Sequence, residues 1–197
     1  MPEIPKQINN EESIRNDLNL ENESKEQTIK FEIYSTDNMP HEKTAEEISN
    51  IFIENYPTMY PEELKESDFV RYNSSEKIQK QVKDGNIFIT VKVNDKMVGM
   101  TKFRQEQRTD FSDCEEWLGS WIMVDKPYRE LGIGEKIFQK GFEILSDIKK
   151  TSGKRMSLVV DVNKNNIASI NLCKKMGLES ESGKSSEYFL FRKEIME

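Results

Sequence analysis

The stretch Val124–Leu145, VDKPYRELGIGEKIFQKGFEIL, decides how this chain is read. It runs from the end of an apolar segment, through two closely spaced glycines, into a helical repeat. From Gly132 onward, Ile133, Ile137, Phe138, Gly141, Ile144, Leu145 and Ile148 recur at helix spacing and predict a helix to about Lys150. The first turn of such a helix leaves amide N–H groups without partners, and its dipole adds partial positive charge there. Glycines let the backbone approach a ligand closely, so this turn suits a phosphate or pyrophosphate. A plain strand-to-helix connection is the alternative. Two phosphate motifs fail: the Gly-Lys-Ser/Thr end of a P-loop is missing, and Ile137 stands where a dinucleotide fingerprint has its third Gly or Ala. What remains is R/Q-x-x-G-x-G/A, filled by Arg129, Gly132 and Gly134.

Working outward, Ile29–Tyr34 alternates apolar and polar residues and predicts a first strand. In KTAEEISNIFIENY, Ile48, Ile51 and Phe52 form a helical stripe, Thr44 and Glu47 are spaced as a capping box, and Pro57 and Pro61 are expected to break the pattern. Ser74–Gly85 predicts a short helix closed by its glycine. Asn86–Gln105 predicts a hairpin turning at Asn94-Asp95-Lys96. Glu115–Val124 predicts a strand, with Trp117 and Trp121 on one face by the period of two. Met156–Val162 is a continuous apolar run, the mark of a strand covered on both faces. Asn165–Met176 predicts a helix capped by Gly177, and Glu187–Ile195 a last strand. The order β α α β β β α β α β implies one α/β domain with a mixed, mostly antiparallel central sheet flanked by helices. Residues 1–26, polar and poor in large apolar groups, are expected to form a disordered or loosely helical tail ahead of the domain at 27–197; a partner-binding arm is the alternative.

Downstream of the glycine turn, Asn165-x-x-Ala168-x-x-x-Leu172-Cys173-x-x-x-Gly177-Leu178 follows the pattern N-x-x-A-x-x-x-L-Y-x-x-x-G-F. With Arg129, Gly132 and Gly134, and with Val124 and a Pro127 shifted by one place ahead of them, the chain resembles the GNAT superfamily of N-acetyltransferases. The resemblance covers about residues 28 to 195 and is specific from about 115 to 178. It implies acetyl-CoA as co-substrate and a primary amine on a small molecule, peptide or protein as acceptor, attacking the thioester directly. It implies that Arg129, Glu130, Leu131, Gly132, Ile133, Gly134 and Glu135 hold the pyrophosphate. The backbone of Ile122, Met123 and Val124 would pair with the pantetheine, and Asn165 and Ala168 would join the cofactor-binding set, Asn165 bonding near the pantetheine or positioning its helix. Family members often carry a carboxylate near the start of the strand ending at Val124, which points to Glu116, ahead of Glu115, as the base; a solvated strand-entry charge is the alternative. Cys173 stands where the family commonly has a tyrosine near the CoA sulfur, so it is either a proton donor or a small buried apolar group, with Tyr188 or a water as substitute donor. A non-catalytic acyl-CoA-binding regulatory protein on the same fold is the second reading. A nucleotide-binding switch is the third, and the missing P-loop end counts against it.

Composition narrows the classes further. The 197 residues allow one domain with a real core, and 35% hydrophobic against 33% charged residues describes a solvated surface. A net charge of −7 argues against nucleic-acid backbone binding and is compatible with a cationic acceptor. Tyr56–Phe69, with its aromatics and carboxylates, suits such an acceptor or an exposed helix face equally. Two cysteines and one histidine, His41, argue against a Cys/His zinc site. No run reaches the roughly 18 apolar residues of a membrane helix, and the polar N-terminus lacks a signal-peptide core, so a cytoplasmic protein is expected, either monomer or homodimer.

Overall fold

The computed structural model describes residues 11–14, 27–59, 74–106, 114–181 and 187–196. An eight-stranded sheet carries the chain. Across it, in order, lie β1 (Glu11–Ile14), β2 (Gln27–Tyr34), β3 (Ile87–Val93), β4 (Lys96–Glu106), β5 (Cys114–Val124), β6 (Arg155–Asn163), β8 (Tyr188–Glu194) and β7 (Glu179–Glu181). All neighbours are antiparallel except β5 and β6, which run parallel. Parallel strands need a crossover, and α3 (Ile133–Ser152) supplies it.

Helices cover both faces. Ala45, Ile48, Ile51 and Phe52 of α1 (Glu42–Met59), with Ile78 and Val82 of α2 (Ser75–Lys83), share one core with Phe88, Met100 and Met123 of the sheet. On the other face, α3 and α4 (Ile167–Lys175) pack Ile137, Phe138, Ile144, Leu145 and Cys173 against Ile89, Val91, Leu158 and Val160. Ile87 and Ile89 of β3 enter this core while Phe88 between them enters the other, which is why the strand opens on three consecutive apolar residues. Gly141 sets how close α3 lies to the sheet. A Cβ there would stand 2.4 Å from Phe103 Cζ, so only the missing side chain lets that ring sit under the helix.

Several local expectations are corrected. The β3–β4 turn is Asn94–Asp95 alone, with φ of 49° and 63°, and Lys96 already pairs with Val93. Two left-handed residues give the turn a twist matching the strands it joins. α1 begins at Glu42, where Ala45 N–H donates to His41 O, so Thr44 lies inside the first turn instead of capping it. The helix then runs through Pro57 to Met59, while Pro61 lies outside the described residues. β1 falls within the segment expected to be disordered, and β7 is a short exposed strand that carries no apolar alternation to announce it. Asn166 caps α4, accepting from Ser169 N–H at 3.1 Å, and Gly177 follows its last turn at φ 74°.

Gly141→Ala tests the α3 contact. Alanine is the better helix former by about 1 kcal/mol, yet overpacking against Phe103 costs about 1–3 kcal/mol. Denaturant unfolding is expected to show a net loss of stability, where an ordinary helical glycine would show a gain.

Candidate active site

Between β4 and β5 the ladder runs from Glu106↔Glu116 to Lys102↔Ser120 and resumes at Met100↔Met123. Trp121 and Ile122 therefore both oppose Thr101, which makes a β-bulge. Trp121 takes φ 60°, a left-handed conformation that side-chain-bearing residues rarely adopt, and Thr101 Oγ1 donates to Ser120 O at 3.1 Å beside it. The extra residue inverts side-chain parity. Trp117 packs in the core under α3, whereas Trp121 meets Phe52 of α1 edge-on with ring centroids 4.3 Å apart. The two tryptophans thus face opposite ways, contrary to the unbroken period of two. Ile122 and Val124 likewise pack toward α3 and leave the face of Ser120.

The bulge is also where the sheet opens. β5 and β6 stay paired from Cys114↔Arg155 to Gly119↔Val160 and part beyond it, while β6 stays paired with β8 up to Asn163↔Tyr188. A cleft of about 180 Å³ lies in the gap. Gly119–Met123 form its β5 wall and Val160–Val162 its β6 wall. Phe138 of α3, Ser169, Leu172 and Cys173 of α4, and Tyr188 of β8 complete the lining. Of the residues expected at the pantetheine, Ile122 and Met123 lie in this wall. The carbonyl of Val124 accepts from Arg129 Nε at 2.8 Å.

Beyond β5, a single 3-10 turn at Lys126–Tyr128 leads into the glycine turn. Glu130 and Gly132 are both left-handed, at φ 66° and 75°. Lys136 N–H, bonded to Gly132 O at 3.2 Å, is the first α3 amide to close a helical bond, so those of Ile133, Gly134 and Glu135 precede the ladder. Space at the turn is generous: a Cβ on Gly132 would meet nothing within 4 Å. A Cβ on Gly134 would stand 3.3 Å from Leu172 Cδ2, and Leu172 also lines the cleft, so turn and cleft are contiguous. Side chains of the turn look elsewhere. Arg129 Nη2 donates to Asn55 Oδ1 at 3.1 Å, and Asn55 Nδ2 donates to Asp125 Oδ1 at 2.8 Å, which ties the turn to α1. Glu135 pairs with Lys175 of α4, Ile133 is buried in the core, and Leu131 packs at its edge. Asn165 and Ala168 are exposed and outside the cleft lining; Asn165 N–H donates to Asn163 Oδ1 at 2.9 Å, holding the approach to α4.

The residues expected to move protons are placed apart. Glu116 is 5% exposed at the entry of β5, outside the cleft lining, and forms an ion pair with Arg192 of β8. Arg192 Nη1 also donates to Ser157 Oγ at 3.0 Å, and its Nε pairs with Glu181. Burial pulls the Arg192 pKa down, but the bonds to Glu116 and Glu181 outweigh it and leave it raised. Glu115 pairs with Lys154 at 3.0 Å. Cys173 does line the cleft; it is 1% exposed, and burial pushes its thiol up to about 12. Of Tyr56–Phe69, the segment suited to a cationic acceptor, residues 60–69 lie outside the described residues.

Sequence reasoning passed over two neighbours of the bulge. Lys102 is 7% exposed; its Nζ sits 3.4 Å from the centroid of the Trp121 ring and donates to Gln81 Oε1 at 3.1 Å. No carboxylate among the described residues pairs with it. Burial, helped by the positive charge of Arg104, lowers its pKa to about 7. Opposite it, Ser120 Oγ is buried without a hydrogen-bond partner, and Ser120 lines the cleft. The one available signal was a lysine inside the apolar run of β4. Lys92 of β3 gives the same signal but is paired with Glu32 and Glu47.

A family model described as the acetyltransferase (GNAT) family matches residues 45–178. No curated protein sequence matches the chain. Among solved structures, the PaiA N-acetyltransferase of Thermoplasma acidophilum, in complex with coenzyme A, is similar at TM-score 0.63 and 16% identity, over 83% of this chain and 98% of that one. YncA of Salmonella typhimurium, with its cofactor acetyl-CoA, is similar at TM-score 0.55 and 14% identity, over 85% and 95%. A GNAT-family acetyltransferase of Staphylococcus aureus gives TM-score 0.61 and 14% identity, over 84% and 99%.

Two stability measurements follow from these placements. Arg192→Met removes the cation paired with buried Glu116, a loss of about 3 kcal/mol, at the low end for a broken buried pair because the arginine is partly exposed; urea unfolding reads it. Lys102 binds its proton more weakly folded, at about 7, than at its ordinary 10.5. The unfolded chain therefore holds more protons between these values, and this group makes stability rise with pH across that window. Lys102→Met is expected to remove the rise and to stabilise the fold most at pH 7 and below. An unchanged pH slope refutes the burial argument.

Proposed function

As the chain belongs to the acetyltransferase (GNAT) family, we propose that it moves the acetyl group of acetyl-CoA to a primary amine, on a small molecule, a peptide or a protein, by direct attack of the amine on the thioester. One observation carries this proposal: the cleft where β5 leaves β6 is contiguous, through Leu172, with the unbonded amides heading α3. The residues fit the coenzyme. Amides of Ile133, Gly134 and Glu135, with open space over Gly132, suit its pyrophosphate. Because the Val124 carbonyl is taken by Arg129, pairing with the pantetheine amides falls to Ile122 and Met123, as for an added strand. Bound coenzyme A and acetyl-CoA in the two similar structures support the reading. Two free cysteines, Cys114 and Cys173, suit a reducing cytoplasm.

The chain's own residues then divide the work. A backbone N–H at the bulge, beyond the end of the β5–β6 ladder, would favour charge developing on a thioester oxygen held beside it. An alkyl ammonium has a pKa near 10.4 and must lose a proton before attack, whereas the coenzyme's thiol, similar to a cysteine at about 8.5, leaves readily. At about 12 the Cys173 thiol is a weaker acid than that leaving group, so Cys173 serves as cleft wall. Tyr188, a stronger hydrogen-bond donor in the same lining, or a water, supplies the proton. Glu116 acts through Arg192, locking β8 and hence Tyr188 beside β6.

A second reading, a non-catalytic acyl-CoA-binding regulatory protein, is favoured by the commitment of Glu116 to Arg192 and by the weak acidity of Cys173. One assay separates the two. Incubated with acetyl-CoA and a panel of alkylamines, amino acids and short peptides, the enzyme is expected to release free thiol above the spontaneous rate with at least one amine. Saturable acetyl-CoA binding without release on any of them favours the binder. Gly134→Val, which places a branched side chain against Leu172 at the turn, is expected to weaken acetyl-CoA binding by at least about tenfold, or 1.4 kcal/mol, in a protein whose melting stays cooperative. Undiminished affinity in that variant removes the turn from the coenzyme site.

A further inference from the structure

We propose that Asp161 selects the acceptor: its carboxylate attracts a positive charge on the amine substrate and turns away amines that carry a carboxylate of their own. The proposal rests on the acetyltransferase reading above and names the class of acceptor, a cationic amine without a neighbouring acid group.

The place of Asp161 in the sheet carries the argument. It follows Gly119↔Val160, the last pair that β5 and β6 make, so it borders the gap and belongs to the cleft wall. Among the described residues lining the cleft it supplies the one carboxylate, and no lysine or arginine stands with it in that lining. Side chains alternate between the two faces of a strand. Val160 and Val162, on either side of Asp161, are buried in the core under α3 and α4. Asp161 therefore looks to the opposite face of the sheet, away from the glycine turn. It is exposed where both of its neighbours are buried, so a molecule entering the cleft meets it.

Two hydroxyl groups share that face and that lining. Ser120, across the gap on β5, stands opposite Lys102 in the ladder, and Lys102 reaches Gln81 of α2, which puts Ser120 on the α1 and α2 side. Its buried Oγ has no hydrogen-bond partner. On β8, Phe189 and Phe191 pack toward α3 and α4, so Tyr188 falls on the face of Asp161. An ammonium has three donors and no acceptor, and this side of the cleft offers it one carboxylate and two hydroxyl oxygens. The coenzyme side offers the reverse, main-chain donors suited to an anion.

Charge then sorts the acceptors. Asp161 attracts an added ammonium on the substrate and repels an added carboxylate, so one side chain supplies both halves of a preference. The net charge of −7 on the chain favours the same class.

The experiment takes the best amine of the panel with two analogues, one bearing an added ammonium and one an added carboxylate. Their kcat/KM values are measured with wild type, Asp161→Asn, Asp161→Glu and Asp161→Lys, and acetyl-CoA affinity is measured by calorimetry for each. The quantity read is the ratio of kcat/KM for the ammonium analogue to that for the carboxylate analogue. Intrinsic differences between the two amines are the same for every variant, so they cancel when ratios are compared. Asp161→Asn is expected to lower the ratio by at least about fivefold, mainly through KM, the upper end for an exposed ion pair. Asp161→Glu is expected to keep the wild-type ratio, and Asp161→Lys to lower it below that of Asp161→Asn, with acetyl-CoA affinity within about twofold throughout. An unchanged ratio in Asp161→Asn overturns the proposal. Equal losses in Asp161→Glu and Asp161→Asn show that shape and not charge matters there, and overturn it too. Loss of acetyl-CoA affinity in Asp161→Asn places the residue at the coenzyme, which overturns the proposal and leaves the acetyltransferase reading intact. Failure of wild type on every amine, with acetyl-CoA still bound, removes that reading and this proposal together. Should Asp161→Asn not fold, the ratios of Asp161→Glu and Asp161→Lys decide: a higher ratio with glutamate supports the proposal, and equal ratios overturn it.

Discussion

One extra residue in β5 controls the rest of the molecule. With Trp121 and Ile122 set against the single Thr101, the strand turns its remaining side chains over and draws away from β6. An unkinked β5 would continue the parallel ladder past Gly119, close the sheet, and leave no cleft between α1 and α4. The bulge is held from three sides: by Thr101 Oγ1 on the Ser120 carbonyl, by Phe52 against the Trp121 ring, and by the β4–β5 pairing that resumes at Met123. A left-handed tryptophan is costly for the backbone, of the order of 1–3 kcal/mol, and persists only where neighbours fix it in this way.

Around that opening the two faces of the sheet have separate tasks. The α3 and α4 side presents the glycine turn, Leu172 and Cys173, main-chain donors beside small apolar walls. The α1 and α2 side presents Lys102, Gln81 and Trp121, a buried cation held by an amide and an aromatic ring. Between them runs the tether from Arg129 through Asn55 to Asp125, which fixes α1 to the turn at the end of β5. α1 and the glycine turn are thus parts of one hydrogen-bonded unit.

Much of this architecture was legible in the residues. The spacing of Ile133 through Ile148 marked α3, the alternation of β3 and β4 marked the hairpin, and Arg129, Gly132 and Gly134 marked the turn. These features are local, and short-range patterns write them directly into sequence. What stayed hidden is set by contacts between distant residues. A bulge leaves no trace in hydropathy, so Trp121 was placed on the wrong face. Glu116 looked like a solvated or catalytic carboxylate because its partner, Arg192, lies 76 residues away. Lys102 looked like Lys92 until burial distinguished them, together with the lack of a paired carboxylate among the described residues. Asn165 and Ala168 flank a real helix start, but both are exposed and outside the lining to which Ser169 and Leu172 belong.

With Arg129 engaged by Val124 and Asn55, the anion seat at the head of α3 is built from peptide N–H groups. Peptide amides do not titrate between acid and alkaline extremes. An anion that docks there meets donors whose number and charge stay constant as acidity changes, unlike a seat lined with lysine or histidine side chains.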